Sequence, residues 1–108
     1  MDYKNYINGK WVESQSGKTF PVENPFNQKI ISHVPDSDSH DVNEAVSAAK
    51  LAYSDWHKMS ASERRDLMKE LANKSRENAN ELAKTISMEM GKPFPEALDE
   101  IDTVADFL

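Results

Sequence analysis

The sequence predicts an α+β fragment in which an amino-terminal β-hairpin and strands are followed by three α-helices. Residues 1–36 alternate short apolar or β-branched runs with strong turn signals, which is typical of strands. From residue 38 onward, apolar residues recur at spacings of three and four, which is the period of amphipathic helices. Only 38% of the 108 residues are hydrophobic and 30% are charged, which indicates either a solvated outer layer of something larger or a small helical domain with a modest core.

The first strands are predicted as a tight hairpin. Asn8-Gly9 lies between Tyr6-Ile7 and Lys10-Trp11-Val12, and an Asn-Gly pair supplies the two positive φ angles of a type I′ turn. Two further strands are expected at Thr19–Glu23 and Lys29–Val34, with a turn at Asn24–Asn27 between them. Pro21 cannot donate a ladder hydrogen bond, which places its strand at an edge or at a bulge.

A first helix is expected over residues 38–58. Asp38 can cap its amino terminus and Asp41 lies in its first turn. One face of this helix is apolar, and it consists of Val42, Ala45, Val46, Ala49, Ala52, Tyr53 and Trp56.

A second helix is expected over residues 61–90. Ser60 followed by Glu63 has the spacing of a capping box, and Gly91 can end the helix in the left-handed conformation. Its apolar positions include Leu67, Leu71, Leu82 and Ile86. The short connection around Met59 predicts that the first and second helices are antiparallel neighbours.

A third helix is expected over residues 95–108, beginning at Pro95, which suits a first helical turn. The apolar pattern is still running at Leu108, without a capping residue, so we expect residues 1–108 to be a single truncated segment of a larger domain.

The charge balance argues against several classes of partner. Thirteen basic and nineteen acidic residues give a net charge of −6, which disfavours binding to nucleic acid and to anionic membranes. There is no apolar run of the ~20 residues that a membrane span requires, and the first residues lack the charged-then-apolar pattern of a signal peptide. The cytoplasm is therefore the expected location.

Catalytic and metal-binding patterns are weak. His33, His40 and His57 have no ligand spacing, so a zinc site is not expected. The acids of the third helix fit a solvated face better than a general acid/base pair, and they are Glu96, Asp99, Glu100, Asp102 and Asp106. The three glycines do not form a phosphate-binding loop, and cysteine is absent.

Five segments, in this order, resemble the opening of the NAD(P)-dependent aldehyde dehydrogenase superfamily. The resemblance runs from about Tyr6 to Leu108. The segments are Tyr6-Ile7-Asn8-Gly9-Lys10-Trp11-Val12; Ser16-Gly17-Lys18-Thr19-Phe20 with Glu23-Asn24-Pro25; Asp41-Val42-Asn43-Glu44-Ala45-Val46 with Trp56; Glu63-Arg64 with Leu67 and Leu71; and Glu89-Met90-Gly91-Lys92-Pro93 with Glu96-Ala97 and Glu100-Ile101.

The resemblance implies a parent enzyme of several hundred residues, a homodimer or homotetramer, that oxidises a small aldehyde to a carboxylic acid. In that family a cysteine thiolate attacks the aldehyde, hydride passes to NAD or NADP, and a glutamate-activated water hydrolyses the thioester. Residues 1–108 correspond to an outer part of the α/β cofactor-binding domain. The catalytic Cys, the Glu and the nucleotide loop lie beyond Leu108, so the chain alone is predicted to be inactive and to bind no cofactor.

The resemblance also implies two local roles. Backbone oxygens of Val22 and Glu23, with the carboxylate of Glu89, would hold a structural monovalent cation, for which oxygen ligands are suited. Asp99 and Thr103 would face the mouth of the substrate tunnel. The sequence of the Glu89–Pro93 segment, together with Glu96-Ala97, resembles that of the succinate-semialdehyde branch of the family.

Two alternative interpretations remain. One is a small, non-enzymatic helical adaptor or interaction module, which would need an exposed apolar groove or patch. The other is a small standalone hydrolase, which would need buried acids in a pocket. For the isolated chain, self-association through unpaired strands is expected, because the sheet that those strands would join is missing.

Overall fold

The computed structural model describes residues 3–108 and contains four strands followed by four helices. The strands are β1 (Asn5–Ile7), β2 (Lys10–Val12), β3 (Thr19–Glu23) and β4 (Ile30–Pro35). The helices are α1 (Ser39–Lys58), α2 (Ala61–Glu77), α3 (Ala79–Met90) and α4 (Phe94–Phe107).

The chain forms two compact units. Unit 1 contains the residues up to Glu23 and Ile30–Lys58, so it holds all four strands and α1. Unit 2 contains Asn24–Lys29 and Met59–Leu108, so it holds the turn between β3 and β4 and the helices α2, α3 and α4.

Strands β1 and β2 form the expected antiparallel hairpin, with Ile7 paired to Lys10. Asn8 and Gly9 have φ angles of 51° and 76°, which are the two positive values that a type I′ turn requires. Ile7 is buried, whereas the ring of Tyr6 packs against that of Trp11 with centroids 4.9 Å apart. The Asn-Gly pair therefore sets the register of this hairpin, as predicted.

Strands β3 and β4 form a second antiparallel ladder in which Pro21 lies opposite His33. The pairing shifts between Val22 and Glu23, because Val22 pairs with Ser32 and Glu23 pairs with Ile30. Ile31 is the extra residue of this bulge. Pro21 thus lies in an edge strand next to a bulge, which confirms the expectation drawn from its missing N–H.

Asp38 caps α1 as expected. Its Oδ1 accepts a hydrogen bond from the His40 N–H (2.8 Å), and its carbonyl oxygen accepts the first helical bond, from the Val42 N–H (3.2 Å). The helix begins at Ser39, one residue after the predicted start, because the cap itself lies outside the helix.

The single helix predicted over residues 61–90 is wrong, because α2 ends at Glu77 and α3 begins at Ala79. Asn78 lies between them with φ −103° and ψ 12°, and its Nδ2 donates to the Lys74 carbonyl oxygen (2.8 Å). An asparagine side chain that bonds to the backbone competes with the helical ladder, which explains the interruption. Residues 3–108 consequently contain four helices rather than the three expected.

Helix α4 lies at the centre of unit 2, packed against both α2 and α3. Ala83 of α3 and Ala97 and Ile101 of α4 form a buried cluster, flanked by Ala79, Ile86 and Leu98. The small alanines allow the helices to approach closely. Helices α1 and α2 belong to different units, so the antiparallel pairing expected of them stays a prediction.

Candidate functional site

The junction between α3 and α4 is built around Gly91. Its φ of 74° is left-handed, and its N–H donates to the Ser87 carbonyl oxygen (3.0 Å), which ends α3 as predicted. Pro93, with φ −54° and ψ 136°, precedes the first residue of α4. Lys92, between them, forms an ion pair with Glu100 in the second turn of α4. Helix α4 therefore begins one residue earlier than predicted, at Phe94.

Gly91 also touches the turn between β3 and β4. A β-carbon placed on Gly91 would stand 3.3 Å from Cγ of Pro25, closer than an ordinary van der Waals contact. The Asn-Pro turn and the Gly-Lys-Pro segment, which are far apart in sequence, are therefore neighbours in unit 2. No local sequence pattern predicts this contact.

The turn that carries Pro25 is held by the preceding residue, Asn24. Its Oδ1 accepts a hydrogen bond from the Phe26 N–H (2.9 Å), and its N–H donates to the Lys29 carbonyl oxygen (2.9 Å). Gln28 takes a positive φ of 58° and donates its N–H to the Asn24 carbonyl oxygen (2.7 Å). An asparagine suits this position because its side chain replaces a backbone acceptor.

The three residues assigned to a cation are distributed over the two units. Val22 and Glu23 lie in β3 opposite the bulge of β4, where the backbone ladder is locally disrupted. Glu89 is exposed in the last turn of α3. Among residues 3–108 the structure shows no group of three His, Cys, Asp or Glu side chains that could hold a metal ion. A bulge and a terminal carboxylate suit oxygen ligation of a hard cation, and the assignment stays a prediction.

Asp99 and Thr103, the residues assigned to the tunnel mouth, lie one turn apart on α4 and are both exposed. The Thr103 Oγ1 donates to the Asp99 carbonyl oxygen (2.9 Å). The Thr103 hydroxyl is thus bonded to its own helix, and Asp99 is the charged member of this pair.

The other acids of α4 are also solvated. Asp102 and Asp106 flank Arg76 of α2, with N–O distances of 3.2 and 2.6 Å. Glu96 and Glu100 are exposed, and the latter pairs with Lys92. All of these carboxylates lie at the surface. A general acid/base pair would need one carboxylate that is buried.

The histidines lie on separate elements. His33 is in β4, and its carbonyl oxygen accepts a hydrogen bond from the Tyr3 N–H (3.0 Å). His40 is exposed in the first turn of α1. The ring of His57 stacks on that of Tyr53, with centroids 5.5 Å apart. The expectation that these three histidines are solvated or locally bonded, and form no zinc site, stays a prediction.

Sequence reasoning missed the role of Asp41, which is buried with 5% of its surface exposed. Its Oδ1 accepts a hydrogen bond from the Gln15 N–H (2.8 Å), and its Oδ2 accepts one from the Asp38 N–H (3.0 Å). The spacing from Asp38 to Asp41 is that of a capping box and could have revealed the second bond. The bond from Gln15 carries no signal in the sequence.

The capping box at the start of α2 is confirmed. The Glu63 carboxylate accepts a hydrogen bond from the Ser60 N–H (2.8 Å), and the Ser60 hydroxyl accepts one from the Glu63 N–H (3.2 Å). The backbone bond from Ser60, and then the bond with its side chain, lower the pKa of Glu63 from the ordinary value of 4.5. The box therefore keeps Glu63 charged at the positive end of the helix dipole.

No helix in residues 3–108 has the length and apolar character needed to cross a membrane. The features described in this part of the chain are helix caps, the turns at Asn24 and Gly91, and solvated carboxylates. The chain has no cysteine.

The chain is similar to proteins of known activity. It is 34% identical to 3,6-anhydro-α-L-galactose dehydrogenase of Vibrio sp. (strain EJY3) over 106 residues, which are 98% of this chain and 22% of that protein. It is 42% identical to malonate-semialdehyde dehydrogenase of Halalkalibacterium halodurans over 98 residues, which are 91% of this chain and 20% of that protein. The chain therefore spans about a fifth of the length of these relatives.

A solved structure gives the same result for the fold. The NAD-dependent aldehyde dehydrogenase of Sinorhizobium meliloti superimposes on this chain with a TM-score of 0.94 at 34% identity, covering 98% of this chain and 22% of that chain. The family model described as the aldehyde dehydrogenase family matches residues 11–108. The chain belongs to the aldehyde dehydrogenase family, and it corresponds to a segment of the larger enzymes that make up that family.

Proposed function

We propose that this chain is the amino-terminal scaffold of the cofactor-binding domain of an NAD(P)-dependent aldehyde dehydrogenase. The observation that carries the proposal is the family match over residues 11–108, in a chain whose backbone follows that of an NAD-dependent aldehyde dehydrogenase over nearly its whole length. The contact between Gly91 and Pro25 supports it, because it joins two of the segments that carry the family resemblance.

The chain does not supply the groups that react. It has no cysteine to serve as the thiolate nucleophile, and its three glycines are too far apart in sequence to cradle a pyrophosphate. The nicotinamide cofactor, which accepts hydride in this family, would bind to residues outside this chain. Residues 1–108 would support the cofactor-binding and catalytic residues that the rest of the parent enzyme provides.

Aldehyde-dependent formation of NADH or NADPH tests this proposal. The complete reading frame that encodes the chain should yield an enzyme that reduces one of the two cofactors when an aldehyde is added. Residues 1–108 expressed alone should give a rate equal to that of the buffer. Turnover by the 108-residue chain would contradict the scaffold role, and a complete product inactive with every aldehyde tried would contradict the parent activity.

The proposed substrate of the parent is succinate semialdehyde. The Glu89–Pro93 segment followed by Glu96-Ala97 supports this choice. A relative at 42% identity is named for malonate semialdehyde, which also carries a carboxylate beside the aldehyde. The ratio kcat/KM for succinate semialdehyde should exceed the ratios for malonate semialdehyde and for butanal, which lacks the carboxylate. A higher ratio for either competitor would exclude this branch.

The backbone oxygens of Val22 and Glu23 with the Glu89 carboxylate remain the proposed ligands of a structural monovalent cation. If the site binds K⁺ or Na⁺, replacing choline by either ion should raise the melting temperature of the complete enzyme, because a ligand that binds only the folded state stabilises it. Glu89→Gln should remove that rise. Glu81→Gln, which changes an exposed carboxylate in the same helix, should retain it.

Asp99 and Thr103 remain the proposed residues of the tunnel mouth. Asp99→Asn in the complete enzyme should change KM for a charged aldehyde severalfold and leave kcat unaltered, because a charge at an entrance acts on substrate encounter. Glu96→Gln, on the first turn of the same helix, provides the control. An equal change in KM for both variants would remove Asp99 from the entrance.

The oligomeric state of the parent, its cytoplasmic location and the lack of nucleic-acid or membrane partners stay predictions. Each sheet among residues 3–108 has only two strands, which agrees with the proposal that the isolated chain self-associates through strand edges. Light scattering measures the oligomeric state of the isolated chain and, separately, that of the complete enzyme.

A further inference from the structure

The turn of the β1–β2 hairpin brings an asparagine carboxamide and a glycine nitrogen together at the surface. Asn8 and Gly9 are the two turn residues between the paired Ile7 and Lys10, and both are exposed. A β-carbon placed on Gly9 would meet nothing within 4 Å. The space around the Gly9 nitrogen is therefore open, and no side chain of its own shields that nitrogen.

Within residues 3–108, neither the Gly9 N–H nor the Asn8 carboxamide makes a hydrogen bond. The reason lies in the geometry of a two-residue turn. The ladder bonds belong to the flanking pair, here Ile7 and Lys10, and leave the nitrogen of the second turn residue without an acceptor. Hydrogen bonding therefore does not hold either group away from the other.

The reaction open to these two groups is cyclisation. The Gly9 nitrogen, after losing its proton to the solvent, attacks Cγ of Asn8, and the side-chain nitrogen of Asn8 leaves as ammonia. The product is a succinimide ring. Water then breaks one of its two C–N bonds, which gives aspartate if Cγ is attacked and isoaspartate if the backbone carbonyl carbon is attacked. The sum converts one amide and one water into one carboxylic acid and one ammonia, with no oxidation or reduction.

We propose that Asn8 is a deamidation site, at which the protein acquires a negative charge and an altered backbone as it ages. Asparagine is thermolabile, and glycine is the following residue that hinders ring closure least. The planar ring fixes the Cα–C torsion of Asn8 outside the range of a type I′ turn, so it forms while the hairpin is briefly open. Opening requires little free energy, because each strand has three residues and a two-stranded hairpin is marginally stable.

The turn between β3 and β4 shows the contrast. Asn24 is followed by Pro25, which has no N–H to cyclise. Asn27 is exposed, as Asn8 is, but the N–H of the following Gln28 donates to the Asn24 carbonyl oxygen (2.7 Å). Exposure of the asparagine is therefore not sufficient, and Asn27 is a matched control within the same protein.

Isoaspartate at this turn would loosen the hairpin. It carries the chain through the side-chain carbon, so one extra backbone atom enters the turn and the pairing of Ile7 with Lys10 is lost. Ile7 is 9% exposed and lines a groove with Asp41 and Val42 of α1, so its burial depends on that register. The aspartate product keeps the backbone length, and aspartate tolerates a positive φ. We expect that product to leave the hairpin intact.

Peptide mapping of the complete protein tests the site. Trypsin cuts after Lys4 and Lys10, so one peptide contains both Asn5 and Asn8, and fragment masses distinguish them. During incubation in neutral buffer, Asn8 should deamidate at least tenfold faster than Asn5 or Asn27. Incubation in water enriched in heavy oxygen labels the acids that form before digestion. A rate at Asn8 no higher than that at Asn27 would overturn the proposal.

Gly9→Asn tests the role of the glycine nitrogen. Asparagine tolerates the positive φ of 76° at this position but places a side chain beside the nitrogen. Deamidation of Asn8 should slow at least fivefold in this variant. In the unaltered protein it should be faster in alkaline buffer, since the nitrogen attacks in its deprotonated form. An unchanged rate in Gly9→Asn, or a rate independent of pH, would overturn cyclisation through this nitrogen.

Melting temperature measures the consequence for the hairpin. The isoaspartate form, separated by chromatography, should melt below the fresh protein, whereas Asn8→Asp should match the fresh protein. An isoaspartate form that melts with the fresh protein, or an equal loss in Asn8→Asp, would overturn the loosening by the altered backbone. These measurements need no dehydrogenase activity, so their outcome is independent of the proposed function.

Discussion

The carboxylate of Asp41, buried in the first turn of α1, accepts a hydrogen bond from the backbone N–H of Gln15 at 2.8 Å. Gln15 belongs to the loop between β2 and β3, so one side chain holds that loop against the helix terminus. The second oxygen of Asp41 accepts the Asp38 N–H, so each carboxylate oxygen has a backbone donor. Buried carboxylates are tolerated when they are bonded in this way.

Replacement of Asp41 should destabilise the protein. Asp41→Ala leaves the Gln15 N–H without its acceptor and removes a bond at the helix terminus, which costs about 1–3 kcal/mol. Urea denaturation of the protein and its variant measures the loss. Asp55→Ala, which changes an exposed acid of the same helix, should stay within about 0.5 kcal/mol of the unaltered protein. A loss for Asp41→Ala no larger than that for Asp55→Ala would show that the two bonds contribute nothing net.

Gly91→Ala should be more costly than Gly17→Ala. Both glycines have left-handed φ angles, 74° and 66°, at which an alanine is strained by about 1–2 kcal/mol. A β-carbon at Gly17 meets nothing within 4 Å, whereas one at Gly91 meets Pro25 at 3.3 Å. The difference between the two variants in free energy of unfolding measures the contact with Pro25. That difference should shrink when Pro25→Ala is added, and an unchanged difference would place its origin elsewhere.

The stability that the capping box supplies should depend on pH. The folded-state pKa of Glu63 is lowered, so its contribution is fully present above the ordinary value of 4.5 and is lost as pH falls through the folded-state pKa. Glu63→Gln can accept the same backbone bond without a charge. The unaltered protein should therefore exceed Glu63→Gln in melting temperature at neutral pH, and the gap should close in acid. A gap that is constant from neutral pH into acid would contradict this linkage.

Arg76 connects α2 to α4 through two exposed ion pairs, and its replacement should have a small effect that depends on salt. Such pairs contribute about 0–1 kcal/mol each, because water and counterions screen them. Arg76→Gln should lower stability by about 1 kcal/mol in dilute buffer, and high salt should abolish the difference. Arg65→Gln is the matched control and should have less effect, because it breaks only contacts within α2, the pair with the adjacent Asp66 and a hydrogen bond to the Ser62 hydroxyl. An effect of Arg76→Gln that persists in high salt would point to lost packing.

Much of the local structure followed from the sequence because the physical causes are themselves local. The positive φ angles of Asn8 and Gly9, the cap at Asp38, the box of Ser60 with Glu63 and the left-handed end at Gly91 each depend on residues within four positions of one another. The missing N–H of Pro21 likewise sufficed to place β3 at an edge, beside a bulge. The family resemblance also resides in such segments, which is why it could be read from the sequence.

Tertiary structure decided what depends on partners distant in sequence. The interruption at Asn78 was open to prediction, but the helical period on either side concealed it. The contacts of Asp41 with Gln15 and of Gly91 with Pro25 join residues 26 and 66 positions apart, for which no spacing rule exists. The sequence also predicted an apolar face on α1 without indicating whether anything covers it. Only the folded chain shows that β1 packs beside that face and leaves the large side chains exposed, because burial depends on the neighbours that the chain brings together.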